Sequence, residues 1–201
     1  MLRRVVQLVV GLSLFGASVG LMVRAGLGLG PWAVFHQGLS QHVGLSIGLV
    51  TNIVGGLMLL FWIPLRQRPG IGTIANILLI GTTADITLWL TPHIDGLVAR
   101  GAVLVFAIGL NGVAGGLYLG AGLGPGPRDG LMTGLMRLTG WPIARVRTGI
   151  ELAALACGWL LGGTVGVGTV LFAVSVGPLL GVFLPLFDVT ARAAKAAPVN
   201  A

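Results

Sequence analysis

Six apolar runs, over residues 5–23, 46–65, 71–90, 102–119, 146–165 and 167–187, dominate the chain. Each has roughly 17 to 25 residues, enough for an α-helix to cross a hydrocarbon core of about 30 Å. The last two runs merge around Gly162, Gly163, Thr164, Val165 and Gly166. That boundary rests on glycine's poor helix propensity alone. The first run follows Arg3 and Arg4 and so looks like a secretory or twin-arginine leader. It is too long for a signal core, lacks a clean small-residue cleavage site and precedes further spans, which makes it an uncleaved first span.

Between the first and second runs, and again between the fourth and fifth, lie segments of about twenty residues, too long for tight turns. One opens with GLGLGP (26–31) and continues as PWAVFHQGLSQHVG; the other opens with AGLGPGP (121–127) and continues as PRDGLMTGLMRLTG. Proline suits a first helical position, and the glycines allow a strained or close-packed approach. Trp32, Phe35 and Leu39, and then Leu131, Leu135 and Leu138, recur at three- and four-residue spacing, which predicts one short amphipathic helix after each phrase. Such a helix lies either at the membrane interface or in a re-entrant hairpin whose N-terminus points toward the midplane. In the second case its free N–H groups and dipole favour an anionic group.

The two phrases belong to a longer self-similarity. A gapless shift of 96 residues superposes Arg4 on Arg100, Ala25-Gly26-Leu27-Gly28 on Ala121-Gly122-Leu123-Gly124, Gly30-Pro31 on Gly126-Pro127, Gly38-Leu39 on Gly134-Leu135, and Gly72-Thr73 on Gly168-Thr169. An internal duplication fits this register. With three spans in each copy the second enters the membrane from the opposite side, so residues 1–96 and 97–190 form two inverted three-helix repeats of one membrane domain, followed by a cytoplasmic tail at 191–201. The expected fold is thus all-α with six transmembrane helices.

Composition agrees with a membrane class. Of 201 residues, 55% are hydrophobic and 8% charged, and the mean hydropathy is +1.00, beyond what a soluble domain of this length sustains. The formal charge of +7 therefore reads as orientation rather than as nucleic-acid binding. In the six-span arrangement only Arg24 and Arg100 of the twelve Lys and Arg residues fall outside. The others sit on the inner side, with both termini cytoplasmic, as the positive-inside rule expects. Cys157 is the single cysteine and excludes an intramolecular disulfide.

Ionisable groups within spans point to function. Asp85 in the third span and Glu151 in the fifth, the latter four residues after Arg147, are candidates for ion coupling, with Arg24 a possible partner of Asp85. Gly28, Gly30, Pro31, Gly124, Pro127, Arg128 and Asp129 are candidates for a substrate or gate site. Asn52, Asn76 and Asn111 are intramembrane polar groups of the kind that hydrogen-bond between helices. No clustered nucleophile and base, metal-ligand set or cofactor motif is present, so no enzyme, metal or cofactor is expected.

GLGPGPRDGLMTGL (122–135), GLGLGPWAVFHQGLS (26–40) and GIGTIANILLIG (70–81) together resemble the bacterial YczE/YyaS/YitT membrane-protein family, closest to the YczE branch. The resemblance implies a multi-pass protein of the bacterial cytoplasmic membrane. It carries over no catalytic or binding residue. Because the YczE branch is linked to lipopeptide production, it also implies an accessory or export role. The expected function is a small-solute secondary transporter or exporter with its site between the repeats. The alternative is a non-transporting accessory or substrate-binding subunit that works with a separate partner. Expected partners are the lipid bilayer, a small anionic solute, and a second copy or another membrane protein.

Overall fold

The computed structural model describes residues 1–189; residues 190–201, with Arg192, Lys195 and the expected tail, lie outside the described residues. The described chain folds into eight helices: α1 Leu2–Ala25, α2 Pro31–Val43, α3 Ile47–Trp62, α4 Ile71–Leu90, α5 Leu97–Gly120, α6 Pro127–Thr139, α7 Ile143–Leu160 and α8 Val167–Phe187. The short helices after the two glycine-proline phrases are present, and each takes its proline at the first position.

The spans differ from expectation in length. α1, α4, α5 and α8 are long and apolar enough to cross a membrane. α3, expected over 46–65, has only 16 residues, or about 24 Å at 1.5 Å per residue, short of a hydrocarbon core. It joins α2 through a bend of 109°, and only as a broken pair do the two pass as one span. α7, expected over 146–165, starts and ends earlier and carries Arg145, Arg147 and Glu151 in its first half. By length and composition alone, four helices, or five with the bent pair, are candidate spans. The apolar runs exceed α3 and α7 because loop residues such as Ile63 and Val165 extend them beyond the hydrogen-bonded helix.

Packing contacts recur 96 residues apart. α1 and α5 cross at the centre of the molecule, joined by a buried hydrogen bond from Asn111 Nδ2 to Ser18 Oγ at 2.7 Å. α4 packs on α1 and α8 on α5, through glycines that leave no room for a Cβ. One added at Gly20 would lie 2.9 Å from Thr87 Cβ, and one at Gly116 2.8 Å from Phe183 Cβ. The short helices cross over, α2 onto α7 and α6 onto α3. A Cβ on Gly38 would meet Leu161 Cβ at 2.8 Å and one on Gly134 would meet Leu65 Cβ at 2.9 Å. At another related pair the sizes exchange, because Gly158 receives the backbone of Val34 and Phe35 while Gly130 receives the ring of Trp62. Trp62, 2% exposed, donates its indole N–H to the Pro127 carbonyl at 2.9 Å.

The predicted stripe Trp32, Phe35, Leu39 packs on Val50, Val54 and Met58 of α3. The predicted stripe on α6 does not form its buried face. Leu138 is 74% exposed, and Pro127, Gly130, Met132 and Gly134 turn inward instead. Glycines that admit Trp62 and Leu65 outweigh the leucines' hydrophobicity at that contact.

The glycine loops are fixed from the other half of the chain. Arg4 donates to the carbonyls of Ala121 at 2.8 Å and Gly122 at 2.5 Å. Arg100 donates to those of Ala25 at 2.6 Å and Gly26 at 2.8 Å. Gly72 N–H donates to Leu123 O at 2.9 Å and Gly168 N–H to Leu27 O at 2.8 Å. Each bond has its partner 96 residues away with the halves exchanged. Gly28 and Gly124 adopt φ of +117° and +123°, a region closed to most L-residues. A Cβ on Gly28 would also lie 2.8 Å from Gly166 N and Thr169 Oγ1.

Asp85 is used at the start of α3. Its carboxylate accepts the Gly48 N–H at 2.8 Å and the Ser46 hydroxyl at 2.5 Å, and Ser46 Oγ in turn accepts Leu49 N–H at 3.1 Å. A negative group there satisfies first-turn donors and favours the helix dipole. Arg24 is not its partner, donating instead to the Leu88 carbonyl.

Two outcomes follow for thermal denaturation in detergent. Gly28→Ala should cost about 1–3 kcal/mol from backbone strain plus the contact with α8. Gly44→Ala, also at positive φ but facing open space, should cost less. Asp85→Ala should cost about 0.5–2 kcal/mol as a lost cap; a variant as stable as the parent would show that α3 starts without it.

Candidate functional site

The N-terminal turns of α2 and α6 meet at one cavity of about 170 Å³, which Gly30-Pro31 and Gly126-Pro127 both line. The first N–H groups of a helix have no acceptor within it, so both ends present donors there. The ends are not equivalent. In α6 the Asp129 carboxylate accepts Gly126 N–H at 3.2 Å and the Tyr118 hydroxyl at 3.3 Å, whereas α2 has no acid in its first turn.

Most of the lining is apolar, with Phe15, Trp32 and Phe172 beside Met22, Met58 and Met132. Into it project the charges of the second half. Arg128 lies over the Phe15 ring with its guanidinium carbon 5.8 Å from the centroid and its Nε 4.0 Å from Asp129 Oδ1. Both contacts are longer than hydrogen bonds, and Arg128 itself lines the cavity. Arg147 and Glu151 form the expected i,i+4 ion pair at 2.9 Å and also line the cavity. A charged pair facing such a wall is screened less than one on an open surface.

Of the residues expected to form a site, the fold gathers Gly30, Pro31, Pro127, Arg128, Asp129, Arg147 and Glu151 around this space, with Asn76 and Asn111. Gly28 and Gly124 lie behind it, shaping the loops against Thr169 and Gly70. Asp85 stands apart at the α3 cap, and Asn52 donates to Thr82 Oγ1 at 3.2 Å between α3 and α4.

Sequence reading did not single out His36, Thr51, Tyr118 or the three methionines as a group. Thr51 Oγ1 lies 2.8 Å from the Ile47 carbonyl and 3.1 Å from His36 Nδ1. Its one hydrogen goes to the nearer carbonyl, so the hydroxyl oxygen accepts from Nδ1–H. His36 Nε2 is then a bare acceptor, and it is buried without a partner. The only sequence signal was the placement of His36 one turn after Trp32 on the apolar side of α2. That spacing marks a face but not what the face meets.

The chain matches the model of a family of unknown function, DUF6198, over residues 2–185. It is 40% identical over 174 residues to the Bacillus subtilis protein named "Uncharacterized membrane protein YczE", covering 85% of this chain and 80% of that one. An uncharacterized protein of Haemophilus influenzae is 39% identical over 177 residues, covering 88% and 81%. YyaS of B. subtilis is 25% identical over 185 residues, covering 89% and 91%. No solved structure matches. The all-helical fold with its long apolar helices is that of a membrane protein, and the chain belongs to the DUF6198 family together with YczE and YyaS.

Proposed function

We propose that this protein is a small-solute secondary transporter of the bacterial cytoplasmic membrane, built from two inverted repeats of four helices each and binding its solute in the cavity between them. The observation that carries this reading is the meeting of the two glycine-proline helix ends at one cavity. Inverted repeats bring broken or short helices to a central site in this manner. The reciprocal bonds support the duplication. Arg4 to Ala121 and Arg100 to Ala25, and Gly72 to Leu123 and Gly168 to Leu27, exchange the halves as a two-fold axis does.

In this reading each glycine loop with its short helix, α2 or α6, is re-entrant, the two entering from opposite faces, and α3 and α7 cross as the remaining span of each repeat. The inner face carries Arg3, Arg4, Arg66, Arg68, Arg137 and Arg145, with the N-terminus cytoplasmic. The cavity has room for a metabolite-sized molecule and none for a lipopeptide, since a 150 Å³ cavity is filled by about one benzene ring. Any tie to lipopeptide production is therefore indirect. A substrate-binding subunit that hands its solute to a partner would use the same cavity, and accessibility separates the two.

In a Cys157→Ser background, Gly55→Cys places a thiol on the cavity wall where a Cβ has 3.4 Å to its nearest neighbour, Ile77 Cγ1. A transporter reconstituted alone should expose this thiol to impermeant maleimide added on either side of the membrane. It should also exchange labelled solute across the liposome. Labelling from one side only, with no flux until another protein is added, would favour the binding subunit.

A further inference from the structure

Resting on the reading of the central cavity as a solute site, we infer that its ligand is a small monocarboxylic acid bearing a hydroxyl or amino group next to the carboxylate, and an apolar body. The groups facing the cavity specify each part. Arg128 lines the cavity with its guanidinium over Phe15, and a guanidinium is a donor set matched to a carboxylate. The α2 end adds first-turn N–H groups with no acid of its own to neutralise them. The carboxylate belongs between these two, away from the α6 end, where the Asp129 carboxylate already accepts the Gly126 N–H.

His36 sits one turn further along α2, its ring centroid 6.1 Å from that of Trp32. Its Nε2 is buried, unpartnered and, by the Thr51 bond, an acceptor. An acceptor left unpaired in a buried wall is costly, so a ligand that brings an O–H or N–H is favoured over one that does not. His36 lies five residues after Pro31 and lines the same cavity as Arg128, so the donor for Nε2 is assigned to the carbon adjoining the carboxylate. The remaining wall, Met22, Met58, Met132 and Phe172, is apolar and adaptable, as methionine-rich surfaces are. At about 170 Å³ the space holds a molecule of about seven non-hydrogen atoms, by comparison with a benzene-sized cavity of about 150 Å³.

Calorimetric titration of the purified full chain in detergent tests this with 2-hydroxyisovalerate, valine, isovalerate, 2-oxoisovalerate and the amide of 2-hydroxyisovalerate. The hydroxy or amino acid should bind about tenfold or more tighter than isovalerate, and the amide should not bind measurably. Arg128→Gln should weaken every acid, and His36→Phe should bring hydroxy acid and isovalerate to equal affinity. Thr51→Val keeps the ring and the packing but removes the acceptor for Nδ1–H. It frees the other tautomer and should shift preference toward the oxo acid, which provides a test should His36→Phe fail to fold. Equal binding of isovalerate by the parent, an unchanged ratio in the folded Thr51→Val variant, or no binding by any acid would each overturn the inference. Because titration needs no flux, an acid that binds without being moved would count against transport and leave the ligand class standing.

Discussion

The carbonyls that close the two central helices decide how the chain can fold. α1 and α5 end in loops that run beside apolar helices, where an unsatisfied carbonyl costs several kcal/mol if lipid replaces water. Each helix ends on an arginine from the start of the other, Arg100 on Ala25 and Gly26, and Arg4 on Ala121 and Gly122. A cation at a helix C-terminus also meets the negative end of the dipole. With α1 and α5 tied head to tail, the glycine loops between long and short helices are held in place. The φ values of Gly28 and Gly124 then aim α2 and α6 back toward the centre.

From that constraint the cavity follows. The short helices cannot continue outward, because the N-termini of α8 and α4 occupy the loop backbones through Gly168 and Gly72. They turn inward and pack on the partner half through Gly38 and Gly134. What remains between their first turns is a small space with an apolar lining. Since Arg128, Asp129, Arg147 and Glu151 all come from the second four helices, while His36 and Trp32 come from the first, the wall is symmetric in backbone and asymmetric in chemistry.

Much of this was legible in the residues. Hydropathy marked the four long helices closely, and Pro31 and Pro127 marked the starts of α2 and α6. The 96-residue register anticipated which backbone positions would be equivalent. It did not show that the short helices trade places, because the decisive contacts pair a large residue with a glycine far away in sequence, Trp62 with Gly130 and Val34 with Gly158. Asp85 drew attention as an intramembrane acid, yet its use at the α3 cap depends on Ser46 and Gly48 arriving from another helix. His36 became a site residue only when Thr51, fifteen positions on, fixed its ring.

The exchange of loops between halves is the claim on which the rest stands, and cross-linking in native membranes tests it most directly. In a Cys157→Ser background, cysteines at Leu27 and Val167 should be joined by a short thiol cross-linker reaching one face of the membrane. Cysteines at Leu123 and Ile71 should be joined by the same reagent reaching the opposite face. Failure of either pair in folded protein, or reaction of both from a single side, would contradict the account.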